Sequence, residues 1–143
     1  MNRKDFAAVS TITGAVNALI AATIDKNFAS VDLLHHDGCR VCVHLGNSGD
    51  TLSGSVYLEL EVEHSDDDST WVDVPDVELT STVTGTNTGT FLLANAPTED
   101  SGIFTTAYLG TKRYIRCVLN VTGTHTNGTP IAVQYDRFRP DGG

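Results

Sequence analysis

The sequence predicts an all-β fold, an antiparallel β-sandwich of jelly-roll or Ig-like type with an N-terminal arm or short helix. Three observations carry this. Apolar residues alternate with polar ones at period two in the longest patterned stretches, the spacing of a strand with one buried face. Clusters of Gly, Asn, Asp, Ser and Thr break the chain at the short intervals that sandwiches and barrels produce. At 143 residues the chain is long enough to close one core without disulfides or metals, and too short for two comfortable domains.

Residues 1–24 form the first segment, an arm. Within it Phe6, Val9, Ile12, Val16, Leu19 and Ile20 fall at helical spacing behind a possible cap at Asp5. Ser10, Thr11, Thr13 and Gly14 are mediocre helix residues, so over 5–24 a helix and an extended arm both stand. The sandwich proper is expected over 25–138, with a first strand pair from Ile20–Ile24 and Ser30–Leu34, and a strand over Cys39–Leu45.

Ser55–His64 shows the pattern best. Val56, Leu58, Leu60 and Val62 make an apolar face, and Tyr57, Glu59, Glu61 and Glu63 make an acidic face turned to solvent. Ser65–Thr70 then holds residues that bond their own backbone in turns, and Trp71–Val74 restarts the alternation, so the pair reads as a hairpin. Thr90–Leu93 and Phe104–Leu109 follow as strands. Arg113–Thr122 repeats the alternation with Ile115, Cys117, Leu119 and Val121 on the apolar face, and Ile131–Phe138 is the last of about eight strands. Residues 139–143, with Pro140 and a Gly pair, are a tail.

Composition excludes several classes. Nine Lys and Arg against 18 Asp and Glu give a net charge of −9, which repels a phosphate backbone and argues against nucleic acid as a partner. No apolar run approaches the roughly 20 residues of a spanning helix, so no membrane partner is expected. Nothing after Arg3 and Lys4 resembles a signal peptide, and three Cys make an odd count for a disulfide framework, so a reducing compartment is expected. The charge is also partitioned. Between Val41 and Thr111 there are 12 acids and no Lys or Arg, while the two ends hold all nine cations and six acids. That distribution is either a solvated acidic face or a device by which basic ends engage an acidic neighbour.

Three constellations have to be weighed for chemistry. Cys39-Arg40-Val41-Cys42, with His35, His36 and His44 nearby, has the spacing of a zinc or redox pair. On a strand, however, an offset of three puts the two thiols on opposite faces, and no second pair completes a tetrahedron, so the cysteines read as structural. The Asp66-Asp67-Asp68 turn offers carboxylates to calcium but lacks the loop Gly and distal Glu of the helix-loop-helix pattern. It also resembles the Asp-box turn S-x-D-x-G-x-T-W, with Ser69 in place of Gly and one residue missing before Thr70, and that turn is structural. No nucleophile elbow, phosphate loop or zinc-protease motif is present, and the five His lack a nucleophile partner, so neither catalysis nor a cofactor is expected.

Three stretches, Asp50–Trp71, Lys112–Leu119 and Thr122–Pro130, together resemble small structural proteins of tailed bacteriophages encoded among head genes, including capsid decoration, or cement, proteins. The similarity runs over roughly Val31–Val133 and rests on an acidic hairpin followed by a K-R-Y-x-R strand. The resemblance implies a non-enzymatic β-sandwich that binds the outside of a capsid lattice and stabilises it. Its partners would be the major capsid protein and neighbouring copies of itself, with possible homo-oligomers on the capsid. It would be made in the bacterial host cytoplasm and reside on the virion exterior. Residues 1–30 and the tail from Tyr135 match least. There Arg3, Lys4, Phe6, Arg137, Phe138 and Arg139 are the candidate capsid or self-contact residues. A tail or head-tail connector component remains an alternative, and behind it a carbohydrate-binding module using Trp71, Tyr57 and Tyr108 as a platform, which ranks third because aromatics total only 7% and Trp71 is expected in the core.

Overall fold

The computed structural model describes residues 18–20, 24–99 and 101–139. Among these the chain is an antiparallel β-sandwich of ten strands with two single-turn 3-10 helices and no α-helix. The strands are β1 (Ala18–Ile20), β2 (Lys26–Asn27), β3 (Val31–Asp32), β4 (Gly38–Leu45), β5 (Tyr57–Ser65), β6 (Val72–Asp73), β7 (Thr90–Ala94), β8 (Gly102–Tyr108), β9 (Tyr114–Thr122) and β10 (Thr129–Phe138). One sheet has the order β1-β10-β4-β8. In the other, β9 and β5 pair at the centre, β2 and β3 lie beside β9, and β6 and β7 lie beside β5.

The period-two alternation decides which residues meet between the sheets. From β5 and β9, Leu58, Leu60, Val62, Ile115, Cys117 and Leu119 are fully buried, facing Cys39, Val41 and Val43 of β4 and Val133 and Tyr135 of β10. Each such aliphatic side chain contributes about 1.5–3 kcal/mol by leaving water. The sheets are also joined by a polar contact, because the buried Tyr135 hydroxyl accepts the Cys117 backbone N–H at 2.8 Å.

The Ser55–His64, Trp71–Val74 hairpin forms as expected, with Glu63 opposite Asp73 and His64 opposite Val72. Among the described residues, the expected pairing of Ile20–Ile24 with Ser30–Leu34 does not form; residues 21–23 lie outside them. β2 and β3 both pair with β9, which offers a longer edge than either short segment could offer the other, and Ala18–Ile20 pairs instead with β10. That places residues 18–20 of the N-terminal segment in extended form within a sheet; the other residues of 5–23 lie outside the described ones.

The acidic face of β5 is the larger departure. Glu59 and Glu61 are 3% and 2% exposed, because the segment 80–88 crosses from the β8 edge and lies over them. It is anchored at β8 by Thr80 and Ser81, whose backbone and hydroxyl groups bond Thr106 and Ala107. It reaches Glu59 through the N–H and hydroxyl of Thr86, both at 2.7 Å. Gly89 then returns the chain with φ +78, wedged so closely that a Cβ there would lie 2.8 Å from the Val62 carbonyl and 2.9 Å from that of Val74.

Candidate functional site

Charge is sorted along the sandwich. Of the nine Lys and Arg, Arg3 and Lys4 lie outside the described residues, and of the remaining seven all but Lys26 collect at one end. That end is built by the 33–37 loop, the start of β4, the turn 109–113, the start of β9 and the end of β10. It brings together Arg40, Lys112, Arg113, Arg116, Arg137 and Arg139.

Most of these cations are answered within the chain. Arg113 forms a two-pronged pair with Asp32 at 2.9 and 2.8 Å, which holds the Asp32 carboxyl down at about 2. Arg40 donates to Asp136 at 3.0 Å, Lys112 to Asp66 at 2.6 Å, and Arg116 to Glu63 at 2.6 Å. The Arg116 guanidinium also lies 4.4 Å above the Trp71 ring. The exposed pairs, Arg113–Asp32 and Lys112–Asp66, stabilise little, but they fix where each charge points.

The C-terminal candidates converge here. Arg137 donates to the Asp32 backbone carbonyl at 3.0 Å, Phe138 is half-buried opposite Gly38, and Arg139 is exposed beyond the strand end. Arg3, Lys4 and Phe6 lie outside the described residues. Sequence reasoning passed over Arg40, Lys112, Arg113 and Arg116 as members of the same group. The available signal was their position at strand ends that antiparallel pairing would bring to one pole.

The cysteine pair divides as the alternation requires. Cys39 points into the core, whereas Cys42 lies on the outer face with its Sγ 3.6 Å from His44 Nε2. Burial pushes the Cys39 thiol up to about 12, and raises those of Cys42 and Cys117 as well, so all are held as inert thiols. In the acidic turn, Asp67 spends its lone pairs locally. It accepts the N–H groups of Ser69 and Thr70 and the hydroxyls of Ser65 and Thr70, and the two N–H bonds lead in lowering its carboxyl to about 2. The turn is self-satisfied, as in an Asp-box.

Trp71 departs from expectation. It is half-buried on the outer face rather than in the core, since its ring forms the floor beneath Arg116. Tyr108 is fully buried and bonded to His64.

A carboxylate cluster that the sequence reading left among solvated acids lies beside this group. Glu61, Glu63 and Asp73 each bring one oxygen to within 4.8 Å of the others. Glu61 Oε1 accepts Asn120 Nδ2 at 2.7 Å and Asn87 Nδ2 at 3.0 Å, while its Oε2 is buried with no hydrogen-bond partner. Burial holds the Glu61 carboxyl above its ordinary range despite the two amides.

Comparison with known proteins returned no matching family model, no matching curated protein and no matching solved structure.

Proposed function

We propose that this chain is a non-enzymatic virion structural protein that binds the outer surface of a phage capsid lattice and stabilises it. One observation carries the reading. The three separated stretches that resemble decoration proteins are contiguous in space. β5 and β9 pair from Tyr57–Thr122 to Ser65–Tyr114, and the Asp50 carboxylate accepts the backbone N–H groups of Thr126, Asn127 and Gly128 at 2.9–3.0 Å. A resemblance scattered along the chain is thus one structural unit, as it must be if it reflects a shared fold and surface.

The charge arrangement supports the same role. A net charge of −9 keeps free copies apart, and Arg139, exposed beyond the end of β10, offers a cation to an acidic neighbour. Cys42 lies 3.6 Å from His44, but burial raises its thiol and so disfavours the thiolate that a nucleophile needs. The sugar-binding alternative loses its platform, because Tyr108 is fully buried and Arg116 occupies a face of Trp71.

The test is the copy number and location of the chain in purified phage particles, by quantitative mass spectrometry and electron microscopy. Copies commensurate with the capsid lattice, on its outside, are expected. A single ring at one vertex would reassign the chain to the connector, and its absence from particles would overturn the proposal.

A further inference from the structure

Glu63 and Asp73 face each other directly across the β5–β6 pair, and Glu61 lies on the same face of β5 two residues before Glu63. Like charges opposed across a sheet destabilise it unless something positive lies between them. Arg116 answers Glu63, but among the described residues no cation pairs with Glu61 or Asp73. Glu61 is the most constrained of the three. Two asparagine amides fix one oxygen, and the other is enclosed without a donor, a position that costs free energy for a carboxylate with nothing to meet it.

We propose that Glu61, Glu63 and Asp73 form a binding site for a divalent cation, with calcium as its occupant. Oxygen ligands on calcium lie about 2.3–2.6 Å from the ion and so stand at most about 5 Å apart. The three oxygens, mutually within 4.8 Å, meet that limit. An all-carboxylate set suits a hard cation rather than zinc, which takes nitrogen and sulfur. Calcium also accepts the irregular geometry of a partly open sheet face better than magnesium, which demands a near-ideal octahedron. Asn87 and Asn120 fix Glu61 through its Oε1, and Arg116 holds Glu63 through its Oε2. An ion here ties the two-residue β6 to β5 and offsets the repulsion between facing acids. The site stands independently of the capsid role.

Trp71, the single tryptophan, reports on it directly, since its ring lies under the Arg116 that binds Glu63. Terbium is added to the full-length protein at neutral pH and excited through Trp71. Sensitised emission that calcium displaces is expected, together with a rise in melting temperature on adding calcium. Asp73→Asn and Glu61→Gln should abolish the emission, while Asp68→Asn, in the neighbouring turn, should keep it. Each variant is checked for fold by circular dichroism. No sensitised emission from the folded parent at millimolar terbium would overturn the proposal even if a variant failed to fold. Emission that survives both site variants, or that Asp68→Asn removes, would equally overturn it.

Discussion

His64 and Tyr108 are hydrogen-bonded inside the sandwich, Nδ1 to hydroxyl at 2.9 Å, joining the inner end of β5 to the end of β8. The Tyr108 oxygen also accepts the Lys112 backbone N–H at 3.0 Å, so its own proton is available to a neutral ring. Glu78 lies 3.5 Å from the same Nδ1 and would welcome a charged imidazole. Desolvation outweighs that attraction, with Lys112 opposing and Asp66 favouring the charged form, and the His64 pKa is lowered from 6.5.

The consequence is a specific loss of stability in weak acid. A histidine whose folded pKa lies below its unfolded value is protonated more readily in the unfolded chain, so its contribution is complete above 6.5 and declines as pH falls below it. The urea midpoint is therefore expected to drop between about pH 7 and pH 5, and His64→Gln should flatten that slope. A second decline belongs to Asp32 and Asp67, whose carboxyls are held near 2; their contribution is lost only below the ordinary 3.8. An unchanged pH profile in His64→Gln would remove His64 as the cause of the first.

The cysteines give the second prediction. With Cys39 and Cys42 on opposite faces of β4 and the Cys39 thiol at about 12, no stoichiometric zinc should be found by elemental analysis. Thiol reagents should label the native protein slowly and label all three Cys once it is denatured. One zinc per chain, lost in the Cys39→Ala, Cys42→Ala double variant, would refute the separation of the two thiols.

What the sequence made legible, and what it hid, follows from the range of the interactions. The alternation in β5 and β9 identified Leu58, Leu60, Val62, Ile115, Cys117 and Leu119 as core because a strand's faces are set locally. The burial of Glu59 and Glu61 was not legible. It depends on Thr86 and Asn87 arriving from the end of a crossing anchored on β8, and a Thr- and Gly-rich segment carries no periodic signal of where it will lie. The same holds for the cluster of ion pairs at one end, which only strand pairing assembles. The position of Trp71 was not legible either, because a ring that stacks under a guanidinium is stable at a half-wet position and the partner Arg116 lies 45 residues away in the chain.

Gly89 supplies the third prediction, at the junction that holds β6, β7 and the covering segment against β5. Gly89→Ala places a methyl 2.8 Å from the Val62 carbonyl at φ +78, and both the contact and the backbone conformation oppose it. A loss of about 1–3 kcal/mol is expected from denaturant unfolding. Gly54→Ala, where nothing lies within 4 Å of the new methyl, should change stability by less than about 0.5 kcal/mol. Equal effects at the two positions would show that the wedge at Gly89 is not real.

Attachment to a capsid gives the last prediction. Arg40, Lys112, Arg113 and Arg116 are committed to acids of their own chain, and Arg137 to the Asp32 carbonyl, so reversing one of these would disturb the fold along with any docking. Arg139 is exposed past the end of β10, and residues 1–17 precede Ala18, the first paired residue among the described ones. Arg139→Glu and deletion of residues 1–17 therefore test the basic ends while leaving the described pairings in place. If either end reaches a neighbouring copy or a capsid subunit, each change should leave a folded sandwich by circular dichroism yet reduce its sedimentation with undecorated capsids. Binding of the intact chain should also weaken as salt rises, because a Debye length of about 8 Å near physiological ionic strength shrinks further and screens exposed charges. Many weak contacts repeated over a lattice amplify a small loss per copy into a large loss of occupancy, so the effect on loading should exceed that on any isolated pair. Full loading by both variants across the salt range would place the docking surface on the body of the sandwich instead.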